Sequence, residues 1–214
     1  MILNIYKQAG PTSHDIVSRV RRILNTRKVG HAGTLDPFAE GVLIILTEKD
    51  TKKSDEIMHQ EKEYIAKIKL GAVSDTYDKT GIITATGDAT IPDKTAIEDT
   101  IKKFIGTIQQ VPPMFSAIKI RGKKLYELAR KGIEINRGSR TIEIRLIEIL
   151  SYAYPILDIR IICSSGTYIR SLAYDIGEDL GCGGYVEELV RTRIGDFRIE
   201  DTLQLSDIAK KNQE

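Results

Sequence analysis

Residues 63–70, EYIAKIKL, place Tyr64, Ala66, Ile68 and Leu70 at one parity and Ile65, Lys67 and Lys69 at the other. Side chains alternate between faces along a strand, so this spacing predicts a half-buried strand. A different rhythm governs the segment before it. Ile16, Val17, Val20, Ile23 and Leu24 recur at helical spacing, and Arg19, Arg21 and Arg22 fall off that stripe. Thr12 or Ser13 supplies an N-cap oxygen, and Asp15 suits the positive start of the helix. Residues 2–6 alternate weakly and predict a short strand. Residues 42–46 form an apolar run that predicts a buried strand, followed by a polar, helical connector over 51–61. SDTYDKTG, residues 74–81, is turn-rich, with a strand expected at 82–85. Ala96, Ile97, Thr100, Ile101, Phe104 and Ile105 make a helix that Gly106 stops.

Strands return at 141–150 and 156–163. Ile169, Leu172, Ala173, Ile176 and Leu180 then form a helical stripe closed by Gly181, with Tyr168 and Arg170 outside it. One or two strands fill about 185–199. Strands and helices do not alternate regularly, which argues against a doubly wound parallel sheet. The expected fold class is α+β, with a mixed, mainly antiparallel central sheet flanked by helices. Residues 111–140 stand apart, with two prolines, many cations and one short helix around 125–129. They read as an excursion from the core.

Composition narrows the picture. In 214 residues, 41% are hydrophobic and 29% charged, as in an ordinary globular chain. Net charge is only +2, but the cations cluster. Arg19, Arg21, Arg22, Arg27 and Lys28 lie early, and Lys119, Arg121, Lys123, Lys124, Arg130 and Lys131 lie mid-chain. Arg191, Arg193 and Arg198 lie late. Such patches fit either solvated helix faces or contacts to a phosphate backbone. Cys163 and Cys182 form no CxxC and no zinc-like spacing, which fits a reducing compartment. The N-terminus lacks the pattern of a signal peptide, and the apolar runs are too short to span a bilayer.

GHAGTLDPFAEGVL, residues 30–43, is the densest candidate for chemistry. Pro37 biases Asp36 towards extended geometry, and Gly30, Gly33 and Gly41 permit tight turns or close approach of a ligand. The stretch fits a plain Asp-Pro turn, or a loop that presents Asp36 as nucleophile or base. A phosphate loop fits poorly, because the GxxxxGK[ST] pattern is missing. Tyr64 fits core packing. His31 fits a base-stacking residue or an ordinary loop histidine. Arg170 opens a helix, where its charge opposes the dipole and favours a specific partner. An arginine near a catalytic Asp would lower its pKa and fix its orientation.

Taken together, GHAGTLDPFAEGVL, KEYIAKIKLGAVSDTYDKTG, VPPMFSAIKIRGKKLYELARKGIE and CSSGTYIRSLAYDIGEDLGCGGYVEELVRTRIG resemble, in order, four blocks of the TruB family of tRNA pseudouridine synthases. The resemblance runs from about Lys7 to Leu205. It implies the pseudouridine synthase fold and isomerisation of the T-loop uridine at standard tRNA position 55, with base flipping and without metal or redox cofactor. By position it implies Asp36 as nucleophile, Tyr64 stacked on the uracil, and Arg170 paired with Asp36. Tyr168 and Leu189 would wall the pocket, and His31 would fill the space the flipped uridine leaves. Lys119, Arg121, Lys123, Lys124 and Arg130 would lie in the insertion that grips the RNA.

There are departures. The family's usual Asp-Lys-Pro is here Tyr6-Lys7-Gln8, which keeps the lysine alone. A catalytic domain over 1–205 is expected, with a tail at 206–214 and no room for the PUA domain of many members. The resemblance implies a cytoplasmic monomer that binds tRNA without an obligatory protein partner. A tRNA-folding chaperone and a synthase acting on ribosomal RNA are the competing readings.

Overall fold

The computed structural model describes residues 1–87, 90–116, 118–120 and 122–211, and at 119, 120, 124 and 209–211 the backbone alone. In chain order the first elements are β1 (Ile2–Lys7), α1 (Ser13–Ile23), β2 (Val29–His31), β3 (Glu40–Thr47), α2 (Ser54–Met58), β4 (Lys62–Leu70), β5 (Ala72–Ser74) and β6 (Ile83–Ala85). Next come α3 (Lys94–Lys103), β7 (Gly106–Gln110), β8 (Lys119–Ile120), β9 (Lys123–Lys124), α4 (Leu125–Ala129) and β10 (Arg140–Ala153). The chain continues through β11 (Ile156–Cys163), α5 (Ile169–Asp179), β12 (Gly184–Ile194), β13 (Phe197–Arg198) and α6 (Leu205–Lys211). These elements fall into two compact units. Unit 1 holds Met1–Ile65, Ile162–Ser165 and Glu188–Glu214, and unit 2 holds Ala66–Ile161 and Gly166–Glu187.

In unit 1, β3 is the hub. It pairs antiparallel with β1, Ile2 opposite Leu46 through Lys7 opposite Gly41, and with β2, Val29 opposite Thr47. It pairs parallel with β12 at Val190–Glu40 and Arg191–Gly41. Every residue of β3 after Glu40 is buried, because both faces are covered. Ile5, Leu43 and Ile45 pack with Ile16, Val17 and Val20 of α1 on one face. Val42, Ile44 and Leu46 pack with Ala32, Ile57 and Ile194 on the other. Thr12 caps α1 in a reciprocal box with Asp15, as expected from the sequence. Ile208 of α6 is 4% exposed and joins the α1 cluster, so the segment expected as a tail packs as a helix.

In unit 2 the strand order is β4, β11, β10, β7, with β7 antiparallel to β10 from Gly106–Ile144 to Gln110–Arg140. β5 and β6 form a separate antiparallel hairpin. Helix α5 closes on the start of β12 at Gly177, where an added Cβ would lie 2.2 Å from Gly184 N. The pairings described are antiparallel except β3 with β12, which gives the mixed, mainly antiparallel α+β class. Strand β7 had no signal in the sequence. Helix α3 ends at Lys103 with Phe104 as its C-cap, short of the expected stop at Gly106, which instead opens β7, and Gly-Thr-Ile-Gln-Gln is too polar to announce a strand. The connector expected over 51–61 divides into a 3-10 turn, Glu48–Lys53, and α2.

Candidate active site

The loop between β2 and β3 presents Asp36 in unit 1. Gly33 and Gly41 turn the chain at its ends with φ of +97° and +104°, values open to glycine. Between them, the backbone carbonyls are taken up one after another. Arg191 donates to Gly33 O at 3.2 Å and Thr34 O at 3.1 Å. Ser13 Oγ donates to Leu35 O at 3.0 Å and accepts from Leu35 N at 2.9 Å. Ala39 N donates to Asp36 O at 3.2 Å and Gly10 N to Pro37 O at 2.8 Å. Lys7 Nζ reaches Pro37 O at 3.1 Å, Ala39 O at 2.8 Å and Gln8 O at 3.0 Å. Leu35 and Phe38 are buried on either side of a half-buried Asp36. Satisfying these carbonyls fixes the backbone, so the geometry of the carboxylate follows from its surroundings.

Lys7 is wholly buried. Burial pushes its ammonium down to about 8, against the upward pull of the Asp36 and Glu40 carboxylates. Tyr64 is 7% exposed on the inner face of β4, as its parity predicts. Burial raises its phenol, the Arg191 guanidinium beside it opposes that shift, and the Asp36 carboxylate adds a smaller upward push. Asp36 therefore acts electrostatically on both Lys7 and Tyr64. His31 ends β2 and is half-buried. Burial, followed by Arg191, lowers its imidazole and favours the neutral ring. Leu189 is 5% exposed on β12, one residue before the bridge to Glu40. Unit 1 thus holds Lys7, His31, Asp36, Tyr64 and Leu189, with Asp36 in electrostatic reach of Lys7 and Tyr64.

Two further cations of unit 1 had no assigned place. Lys62 is 6% exposed and donates to Met58 O at 2.7 Å and Gln60 O at 2.6 Å. Burial lowers it to about 8 as well. Arg191, expected within a late basic patch, is 1% exposed and points into the Asp36 loop, so the surface reading of that residue is overturned. Arg193 pairs with Glu61 at 2.6 Å, and Arg198 stays exposed beside Glu200.

In unit 2, Tyr168 is the half-buried N-cap of α5. Its N–H donates to Gln110 Oε1 at 2.8 Å, and its carbonyl accepts from Gln110 Nε2 at 3.0 Å. The Gln110 amide thus stands in for a peptide. Arg170 is 4% exposed, which corrects its placement outside the buried side of the helix. Its Nη1 lies 3.4 Å from Asp78 Oδ2 and donates to Thr76 O at 3.1 Å, and its Nη2 donates to Phe115 O at 2.8 Å. Asp78, itself 4% exposed, also accepts from Thr76 Oγ1 at 2.9 Å and Thr80 N at 2.9 Å. Tyr77 has φ +62° and stacks on Tyr174 with centroids 4.2 Å apart. The roots of the insertion are tied to α5 by Arg170 and by Ser171 Oγ, which donates to Val111 O at 2.8 Å.

Within the insertion, β8 and β9 form a hairpin that leads into α4 at the residues expected, 125–129. Lys123 and Arg130 are exposed, and Arg130 lies over the Tyr126 ring at 5.5 Å. Arg121 lies outside the described residues, as do the side chains of Lys119 and Lys124. No helix among the described residues is long and apolar enough to cross a membrane.

A family model described as "TruB family pseudouridylate synthase (N terminal domain)" matches residues 21–169. One described as "tRNA pseudouridylate synthase B C-terminal domain" matches residues 170–214. The chain is 48% identical over 211 residues to a Clostridium tetani protein named tRNA pseudouridine synthase B, covering 99% of this chain and 73% of that one. Identity to the Clostridium acetobutylicum protein of the same name is 49% over 211 residues, with the same coverage. A solved structure titled "Crystal Structure of a Cbf5-Nop10-Gar1 Complex" contains a chain similar at TM-score 0.77 and 33% identity. The match covers 98% of this chain and 53% of that one, so this chain spans about half its length.

Proposed function

Since the chain belongs to the TruB family of pseudouridylate synthases, we propose that it isomerises the T-loop uridine of tRNA to pseudouridine, with Asp36 as the nucleophile. The observation that carries this reading is the set of satisfied carbonyls around Asp36, from Gly33 to Pro37 and at Ala39. A loop braced in this way holds one carboxylate in place against a reacting ribose. Asp36 attacks or deprotonates the ribose as the glycosidic bond breaks. The uracil turns and rejoins through carbon 5, with no net oxidation or reduction.

Tyr64 stacks on the flipped base, and Tyr168 and Leu189 wall it. His31, neutral by burial, fills the place of the extruded nucleotide. The role of Arg170 as the cation that orients Asp36 rests on the family resemblance. Extruding a base costs a few kcal/mol, and phosphate contacts from Lys123, Arg130 and the cations of α1 offset it. The enzyme works as a cytoplasmic monomer on tRNA. Two buried cysteines that form no disulfide support a reducing compartment.

The test is Asp36→Asn with purified tRNA and ribosomal RNA, mapping pseudouridine in each. Modification confined to the tRNA T-loop is expected, absent in the variant although tRNA still binds. A variant that modifies tRNA at the wild-type rate removes Asp36 from the chemistry. Modification of ribosomal RNA alone reassigns the substrate.

A further inference from the structure

Arg191 buries a guanidinium among dipoles. Its Nε donates to Val42 O at 2.8 Å, beyond the far end of the Asp36 loop. Its Nη1 and Nη2 donate to Thr34 O at 3.1 Å and Gly33 O at 3.2 Å, at the near end. Its charge also acts on the Tyr64 phenol and opposes the rise that burial imposes there. Its backbone bridges Gly41, where an added Cβ would lie 2.2 Å from Arg191 O. Arg191 is therefore fixed to β3 through its main chain while its side chain spans the mouth of the loop. The guanidinium is planar and carries five donors in a rigid fork, so its partners stand at set angles to one another. A lysine in its place would offer a point charge on a flexible stem.

We propose that Arg191 is a positioning residue for the isomerisation: one guanidinium ties the two ends of the Asp36 loop together beside Tyr64 and so sets the nucleophile against the stacking ring. This rests on the proposed function, because it assigns a reaction to Asp36 and Tyr64. It differs from a role in RNA contact, since a residue 1% exposed cannot meet a phosphate. It also differs from a role in stability alone. Misplacing reacting groups by about an ångström slows turnover by about a hundredfold without weakening distant contacts.

The experiment uses the full chain and a tRNA transcript carrying tritium at uridine carbon 5. Forming the new carbon–carbon bond there displaces the label. Wild type, Arg191→Lys, Tyr64→Phe and the double variant are compared in single turnovers at saturating tRNA, with tRNA affinity and thermal unfolding measured alongside. Arg191→Lys is expected to slow tritium release at least tenfold while the Kd for tRNA stays within about twofold. In the Tyr64→Phe background the same change should cost several-fold less, because the phenol on which the guanidinium acts is already gone.

A loss confined to Kd, an unchanged rate, or losses that simply multiply would overturn the proposal. Arg191→Gln, which keeps two donors, serves if lysine is not tolerated; if neither variant folds, Arg191 is structural and the proposal fails. Wild-type protein that releases no tritium overturns the proposed function and this proposal together. Wild-type turnover with unaffected variants overturns this proposal alone.

Discussion

Two loops of this protein are built around an aspartate and bounded by glycine, and they are held in opposite ways. In the loop of unit 1, the hydrogen bonds from Arg191, Ser13 and Lys7 land on backbone carbonyls around Asp36. In the loop of unit 2, Asp78 is itself the clamp, with its carboxylate bonded to Thr76, Thr80 and Arg170. Asp78 is 4% exposed, whereas Asp36 is half-buried. The Asp78 carboxylate holds its own loop, whereas the loop around Asp36 is held through its backbone by other groups. Both loops carry an aspartate three to five residues before a glycine. The difference lies in where the donors come from.

Asparagine at each position separates the two roles most sharply. Asp36→Asn should cut pseudouridine formation by roughly a thousandfold or more, the scale on which loss of a nucleophile acts, and leave the unfolding midpoint nearly unchanged. Asp78→Asn should destabilise the protein by about 3 kcal/mol, because a buried carboxylate 3.4 Å from the buried Arg170 guanidinium is lost. Denaturant unfolding and a turnover assay on both variants check this. Equal stability losses would erase the distinction between the loops.

Alanine at the bounding glycines tests the same contrast more mildly. At Gly41 a Cβ meets the Arg191 backbone at 2.2 Å and φ is +104°. Gly41→Ala should cost about 3 kcal/mol, since neither strand can give way. At Gly81 a Cβ meets the side chains of Asp75, Thr76 and Ser74, the nearest at 2.1 Å. These can rotate, so Gly81→Ala should cost about 1 kcal/mol, through lost hydrogen bonds. Thermal unfolding of the two variants gives the order, and the reverse order would mean that the loop of unit 2 is the stiffer one.

Much of this was legible in the sequence, and what was not has a common cause. The parity of EYIAKIKL places Tyr64 inside, and the same parity extended back by two residues reaches Lys62, also buried. A charge reads as exposed by default, so Lys62 and Arg191 escaped notice although Leu189 and Arg191 share a face of β12. Lys7 was named from the family block, while two of the three carbonyls that hold it, Pro37 O and Ala39 O, come from a turn made some thirty residues later. Gln110 has no local signal, because its partner Tyr168 is 58 positions away. Asp78 looked like one more turn residue in SDTYDKTG, since the arginine that claims it lies on α5. Periodicity shows which face is inward. It does not show which polar group has been carried inward with that face.

Charge removal on the insertion should be smaller in effect and should spare both loops. Lys123→Ala and Arg130→Ala remove exposed cations. Each should weaken tRNA binding and lower the slope of log affinity against log salt by about 0.7, the value for one contact to a single strand. Turnover at saturating tRNA should not move. Binding titrations between low and moderate salt check this, and an unchanged slope would place RNA contact elsewhere.

The smallest expected effect is on pH, and it sharpens the same comparison. Lys7 and Lys62 of unit 1 are lowered by burial from 10.5 to about 8. In the unfolded chain they would titrate near their ordinary value. Between about 8 and 10.5 the unfolded state therefore holds more protons on these groups, and stability rises with pH across that window. Below about 8 the burial penalty is present in full. Tyrosines work against the rise at its upper end. Burial and a neighbouring glutamate push Tyr6 and Tyr185 up to about 12, so the unfolded state loses those protons first above pH 10. The gain is thus to be read between about pH 8 and 9.5, from denaturation midpoints of wild type and Lys62→Met. The wild type should gain stability across this interval, and the variant should gain less because one of the two lysines is gone. Parallel curves would mean that Lys62 keeps its proton as it does in water, and that its carbonyl partners fully offset its burial.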